Sequence, residues 1–113
     1  MSAKTVPVAP AKIEEMISPE PGLHRQVMSY SPSMMLVRNL MVKGWVGAKH
    51  SHPHEQIVYI ARGRIRFEHP DGVFNLGPGE SFLVPGGVEH QASAYEDSEV
   101  LDIFTPMRED YAK

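Results

Sequence analysis

Three histidines and a glutamine carry the chemistry this chain is equipped for. His50, Ser51 and His52 lead to Gln56, and His90 follows further along the chain. On a strand, residues two apart point to the same face, so His50 and His52 present two imidazoles to one point. Gln56 keeps that parity provided the kink at Pro53 preserves it. His90 has to arrive from another strand, brought in by the tight turn Pro85-Gly86-Gly87. Imidazole donors suit zinc, iron, copper and nickel. A glutamate at position 56 would cancel one charge of a divalent ion, whereas the glutamine leaves the full charge in place. Such a centre favours an anionic substrate or an acidified bound water. It departs from the set of two histidines and one carboxylate typical of Fe(II) oxygen chemistry. Gln56 is no base, so any general base must come from elsewhere. His54 also has the parity to join His52, but its place is expected at the rim. His24 and His69 lack such a context and are expected to face solvent.

Dense punctuation sets the elements that must position these groups. Ten prolines and nine glycines cut the chain into short pieces, a spacing that favours an all-β sandwich or barrel. Strands are expected over Met34–Lys43, Gln56–Ala61, Arg64–Glu68, Val73–Leu76, Ser81–Val84 and Val100–Phe104, with a hairpin turn at Pro70-Asp71-Gly72. Residues 1–11 read as a loose tail. Lys12–Ile17 predicts one or two helical turns, ended by Pro19. The division expected is a tail and short helix over residues 1–20 and a barrel domain over 21–113.

The 113 residues fit one domain. A formal net charge of -3, from 11 basic and 14 acidic residues, leaves no basic patch, so nucleic acid is not an expected partner. Without cysteine, thiolate ligands and disulfides are excluded. No apolar run approaches the ~20 residues of a membrane span, and the first residues lack the apolar core of a signal peptide. No membrane partner is expected, and the expected location is cytoplasmic.

Both motifs match the cupin superfamily. Its first motif is G-x5-H-x-H-x3/4-E-x6-G, which falls here on Gly44, His50, His52, Gln56 and Gly63. Its second is G-x5-P-x-G-x2-H-x3-N, which falls on Gly79, Pro85, Gly87, His90 and Ala94. Two positions depart from the pattern: Gln56 stands for the glutamate and Ala94 for the final asparagine. The run from His50 to Ile57 with Tyr59 and Gly63, and the stretch Leu101–Tyr111, is similar to the pectin-degradation (KdgF-type) cupins. That resemblance spans roughly residues 20–112. It implies a double-stranded β-helix, or jelly-roll barrel, holding one divalent transition metal (Ni, Zn, Mn or Fe) on His50, His52, Gln56 and His90. It also implies conversion of 4,5-unsaturated monouronates, released by pectin or alginate lyases, into linear keto acids. The family's catalytic aspartate and arginine, with an aromatic between them, fall on Asp102, Phe104 and Arg108.

The residues themselves lead to similar roles. Asp102 and Phe104 share one face of the last strand. If that face is the inner one, Asp102 is a carboxylate in an apolar cavity beside a cation, suited to moving protons. The bland alternative is a strand-end residue paired with a nearby base. Arg108 offers a bidentate fork for a substrate carboxylate, or else it pairs with Glu109, Asp110 or a neighbouring subunit. Phe104 is placed against the sugar ring. Tyr59 and Trp45 flank the metal motif and either line the pocket or pack, with Tyr59 taken as a substrate contact. Arg25 is placed near the cavity mouth. Arg62, Arg64 and Arg66 read as a solvated strand face, or as a basic wall of the pocket. The cupin resemblance implies a homodimer, through edge strands or a swapped N-terminal strand, with Val27–Val42 able to supply an edge. Two further classes stay open, a metal-dependent dioxygenase of the same fold and a non-enzymatic small-molecule-binding module.

Overall fold

The structure, a computed structural model, describes residues 8–112. Among these residues nine strands form two sheets. They are β1 (Ile17–Glu20), β2 (Leu23–Ser31), β3 (Met34–Met41), β4 (Glu55–Arg62), β5 (Ile65–His69), β6 (Gly72–Leu76), β7 (Ser81–Val84), β8 (Gln91–Ala94) and β9 (Ser98–Thr105). The larger sheet runs β1-β2-β3-β9-β4-β7 and the smaller β6-β5-β8. This is an all-β jelly roll: the turn spacing predicted an all-β sandwich or barrel, and the cupin resemblance implied the jelly roll.

Alternation explains which side chains go in. On β3, Met35, Val37, Asn39 and Met41 are buried while Met34, Leu36, Arg38 and Leu40 are more exposed. On β4, Gln56, Val58 and Ile60 are buried. Between the sheets lies one apolar cluster that includes Val58, Ile60, Ile65, Phe67, Val84 and Val100. A second, of Met35, Val37, Phe104 and Met107, lies against Val27, Tyr30 and Tyr111. Burying a side chain such as Ile60 or Phe104 contributes about 1.5–3 kcal/mol.

Strand β9 lies between β3 and β4, and its register builds the site. Asp102 faces Val37 on one side and Val58 on the other, and Phe104 faces Met35 and Gln56. Gln56 is therefore a diagonal neighbour of Asp102 on the same inner face, a separation that long side chains bridge.

The N-terminal region differs from expectation. Among its described residues only Ile13–Glu15 is helical, as a single 3-10 turn without a side-chain cap. Ile17 already belongs to β1, which pairs with β2. A helix of so few residues does not repay its nucleation cost, and sheet pairing wins. Of the expected loose tail, residues 1–7 lie outside the described residues. Pro10 and Lys12 are tied down: the Pro10 carbonyl accepts from Nε2 of Gln26, and the Lys12 N–H donates to its Oε1, both at 3.0 Å. Among the described residues no helix is long and apolar enough to cross a membrane.

Candidate metal centre and cavity

His50 lies outside any strand, paired with His90 in an isolated antiparallel bridge closed by two backbone hydrogen bonds of 2.9 and 3.0 Å. His52 sits in the next loop, where its carbonyl accepts from the Gly87 N–H at 2.7 Å. Gly86 lets the Pro85-Gly86-Gly87 turn lie against this loop, since a Cβ there would collide with the Pro53 carbonyl oxygen. Both motifs are thus pinned together by backbone before any ion is considered. The ligand atoms of His50, His52 and His90 fall within 4.8 Å of one another.

Each of the three imidazoles is oriented in the same way. Nδ1 of His50 lies 2.9 Å from the Ala48 carbonyl, Nδ1 of His52 lies 3.0 Å from that of His54, and Nδ1 of His90 lies 2.9 Å from that of Val88. A proton held on Nδ1 by a carbonyl leaves Nε2 as a free lone pair, the usual outer support of a metal ligand. Burial pushes His90 down to about 4 and lowers His52, with the Arg108 charge adding to the effect on His52. Both rings are therefore neutral and ready to ligate at neutral pH.

Gln56 supplies the sharpest test of fit. Its Nε2 donates to Oδ1 of Asp102 at 3.0 Å, which turns Oε1 toward Nε2 of His52, also at 3.0 Å. A neutral His52 that donates from Nδ1 has a lone pair on Nε2, so two acceptors face each other. A divalent cation that takes both lone pairs removes the conflict. The residues present fit a metal ion, with His50, His52, His90 and Gln56 as its holders.

Asp102 stands directly behind Gln56. Its Oδ2 accepts from Nδ2 of the buried Asn39 at 2.7 Å. Burial raises its carboxyl to about 6, against the opposing pull of the Gln56 hydrogen bond and of the Arg25 and Arg108 charges. The paired-with-a-base alternative does not apply, because Asp102 makes no ion pair among the described residues. The cavity in front of it, about 230 Å³, is also lined by Phe104, Arg25, Arg108, Tyr111 and Trp45. Trp45 donates from Nε1 to Oε1 of Glu20 at 2.9 Å, and both border this space.

Arg108 reaches the cavity with its Cζ 5.1 Å from the Phe104 ring centre and 4.1 Å from that of Tyr111. Its fork is also held by Asp110, Nε to Oδ1 at 3.1 Å and one terminal nitrogen to Oδ2 at 2.9 Å. Tyr59 needs correction. It is 41% exposed and points out of the barrel. Gln56 faces inward, so Tyr59, an odd number of residues away, must face outward. The three arginines do not form one strand face. Gly63, with φ +92°, turns the chain between β4 and β5, and each arginine pairs with a glutamate: Arg62 with Glu99, Arg64 with Glu96, Arg66 with Glu68. His69 is not solvent-facing either; it packs on Phe74 and Phe82. His24 bonds to Ser18. His54 lends its carbonyl to His52 and stands edge-on to that ring, outside the three-histidine cluster.

Sequence reasoning missed Asn39 and Tyr111 as parts of the cavity. Asn39 carried a signal, as the one polar residue in the inward series Met35, Val37, Asn39, Met41. Tyr111 carried none that spacing reveals.

Comparison with known proteins agrees with this geometry. The pectin degradation protein KdgF of Dickeya dadantii (strain 3937) is 29% identical over 92 residues, 80% of this chain and 84% of that protein. The structure of KdgF from Halomonas sp. matches with a TM-score of 0.82 at 36% identity, covering 85% of this chain and 91% of the other. An RmlC-like cupin from Shewanella frigidimarina NCIMB 400 matches with a TM-score of 0.82 at 32% identity, covering 86% and 87%. The cupin domain model matches residues 37–104, a span that holds every candidate ligand together with Asp102 and Phe104. The chain belongs to the cupin family.

Proposed function

We propose that this protein is a metal-dependent cupin enzyme that converts 4,5-unsaturated monouronates into linear keto acids. The observation that carries the reading is the chain of contacts from His52 through Gln56 to Asp102, which sets a titratable carboxyl beside the candidate metal centre. The KdgF relatives support the substrate class. So does the size of the cavity. At about 230 Å³ it lies below the about 300–1,000 Å³ of drug-sized ligand pockets and has room for a small sugar acid.

A divalent ion held by four neutral donors would supply its undiminished charge to polarise substrate oxygens. The remaining work falls to side chains of this chain. Asp102, whose carboxyl burial raises in the metal-free protein, takes and returns a proton during ring opening and tautomerisation. Asn39 and Gln56 hold its two oxygens in place. Phe104 presents an apolar face to the sugar ring, and Arg25 and Arg108 give the cavity the positive character an acidic sugar needs. Trp45, tied to Glu20, forms part of the cavity border. In this reading the protein acts in the cytoplasm as a homodimer.

Purified, metal-loaded protein should consume an unsaturated monouronate and yield the linear keto acid by NMR. His50→Ala and Asp102→Ala should each lower turnover at least a hundredfold. Turnover without oxygen, supported by a redox-silent ion, separates this reaction from a dioxygenase. A folded, metal-loaded protein that leaves such sugars intact rejects the assignment.

A further inference from the structure

We infer that Arg25 is the side chain that captures the substrate's carboxylate, with Arg108 and Tyr111 holding it in place; the inference rests on the uronate reading above. Two guanidinium groups reach the cavity, and they are not equivalent. Arg108 is engaged by Asp110 through two parallel hydrogen bonds. A bidentate carboxylate pair of this kind uses the geometry that would otherwise receive a substrate carboxylate. Arg25 makes no ion pair among the described residues. Its Nε is buried and has no hydrogen-bond partner.

A buried guanidinium donor without an acceptor is costly unless a ligand supplies one. The location fits that ligand. Arg25 lies opposite Asn39 in the β2–β3 register, and Asn39 bonds to Asp102, so the free fork borders the proton-handling carboxyl. The Cζ of Arg25 stands 3.8 Å from the centre of the Tyr111 ring. Stacking on an aromatic face orients the planar fork while leaving its N–H edge open. Arg108 stacks on that same ring and its fork is taken by Asp110, so it braces Tyr111 without offering the same fork to the anion. The result is a division of labour between the two arginines.

The test uses metal-loaded wild-type protein, Arg25→Gln and Arg25→Lys. Calorimetry measures binding of galacturonate and of its uncharged methyl ester, and kinetics with an unsaturated uronate gives KM and kcat. Wild-type protein should bind the acid more tightly than the ester. In Arg25→Gln the acid should bind at least tenfold more weakly with ester binding unchanged, and KM should rise at least tenfold while kcat falls less. Arg25→Lys should recover part of the acid affinity. Unchanged acid affinity in Arg25→Gln overturns the inference. So does an equal loss for acid and ester, which would mark a packing effect, and so does wild-type protein that fails to distinguish the two. If wild-type protein leaves unsaturated uronates intact, the functional reading fails, while the comparison of acid with ester still decides the role of Arg25.

Discussion

Replacing Asp102 by asparagine should stabilise the metal-free protein at alkaline pH while it removes activity. In that state the carboxylate is buried, and its nearest contacts are the neutral amides of Gln56 and Asn39. Burial raises its carboxyl from the ordinary 3.8 to about 6. At about 1.4 kcal/mol per pH unit, this disfavours the ionised native state by about 3 kcal/mol. The sign follows from the direction. A carboxyl raised on folding contributes stability that is fully present below its unfolded value and is lost as pH rises through about 6. Asparagine never ionises, so the variant escapes that loss. It gives up one of two hydrogen bonds, because an amide offers one acceptor where the carboxylate offered two, at a cost of about 1–2 kcal/mol.

The net expectation is a variant more stable by about 1–2 kcal/mol at pH 8, with the advantage shrinking by about 1.5 kcal/mol on going to pH 5. The other titrating groups are common to both proteins and cancel in the difference. Urea unfolding of chelator-treated protein, followed by the fluorescence of Trp45, the single tryptophan, measures it directly. Turnover of the metal-loaded variant should fall by roughly 10²–10⁴, the usual contribution of a general acid or base. A stability difference independent of pH between 5 and 8 would refute the reasoning. A variant less stable than wild type at pH 8 would do the same.

Two further substitutions probe the frame around this group. Gln56→Glu sets a second carboxylate where an amide now donates to Asp102 at 3.0 Å; like charges so close cannot both ionise cheaply. Metal-free Gln56→Glu should be less stable than wild type by about 1–3 kcal/mol at pH 8, with the deficit fading as pH falls below 6, and urea unfolding at both pH values checks it. Gly86→Ala drives a methyl group into the Pro53 carbonyl and should lower stability by about 1–3 kcal/mol. The shifted His52 loop should also weaken metal binding about 10–100-fold in chelator competition; an unaltered affinity would show that the turn does not set the ligand position.

Much of the barrel was readable because period-2 alternation and turn residues act locally. Arg64–Glu68 alternates, the apolar run Met34–Lys43 is ended by Gly44, and Ser81–Val84 is closed by Pro85-Gly86-Gly87; strands lie at Ile65–His69, Met34–Met41 and Ser81–Val84. Strand β2 did not. A bulge between Val27 and Ser29 breaks its parity, and most of its residues are partly buried, so no clean in-and-out pattern survives. The three histidines were readable because their spacing encodes convergence. The contact of Gln56 with Asp102 was not, since it depends on the register of β4 against β9. Arg108 and Asp110 lie beyond the last strand, where no periodicity tells which way a side chain turns. Tyr59 illustrates a different failure. Nearness in sequence to the motif suggested a contact that the parity of Gln56 already forbade.

The amide at position 56 ties ligation to proton handling. Its two ends are chemically different: the oxygen faces His52 and the N–H faces Asp102. A glutamate has no donor, so it would leave the Asp102 carboxylate without one of its two hydrogen bonds and set a like charge beside it. With glutamine, both neighbours are served at once. The same substitution that leaves a bound ion its full charge also lets Asp102 stand behind the ligand set as a free carboxyl. Asn39 acts in the same sense from β3: as a neutral amide it orients Asp102 while lowering its proton affinity less than a directly paired cation would. Arg25 and Arg108 add their charges without a hydrogen bond to the carboxylate, so Asp102 remains near 6 rather than falling below the ordinary carboxylate range. In the proposed reading, one choice of side chain thus serves both the ligand set and the carboxyl that handles protons.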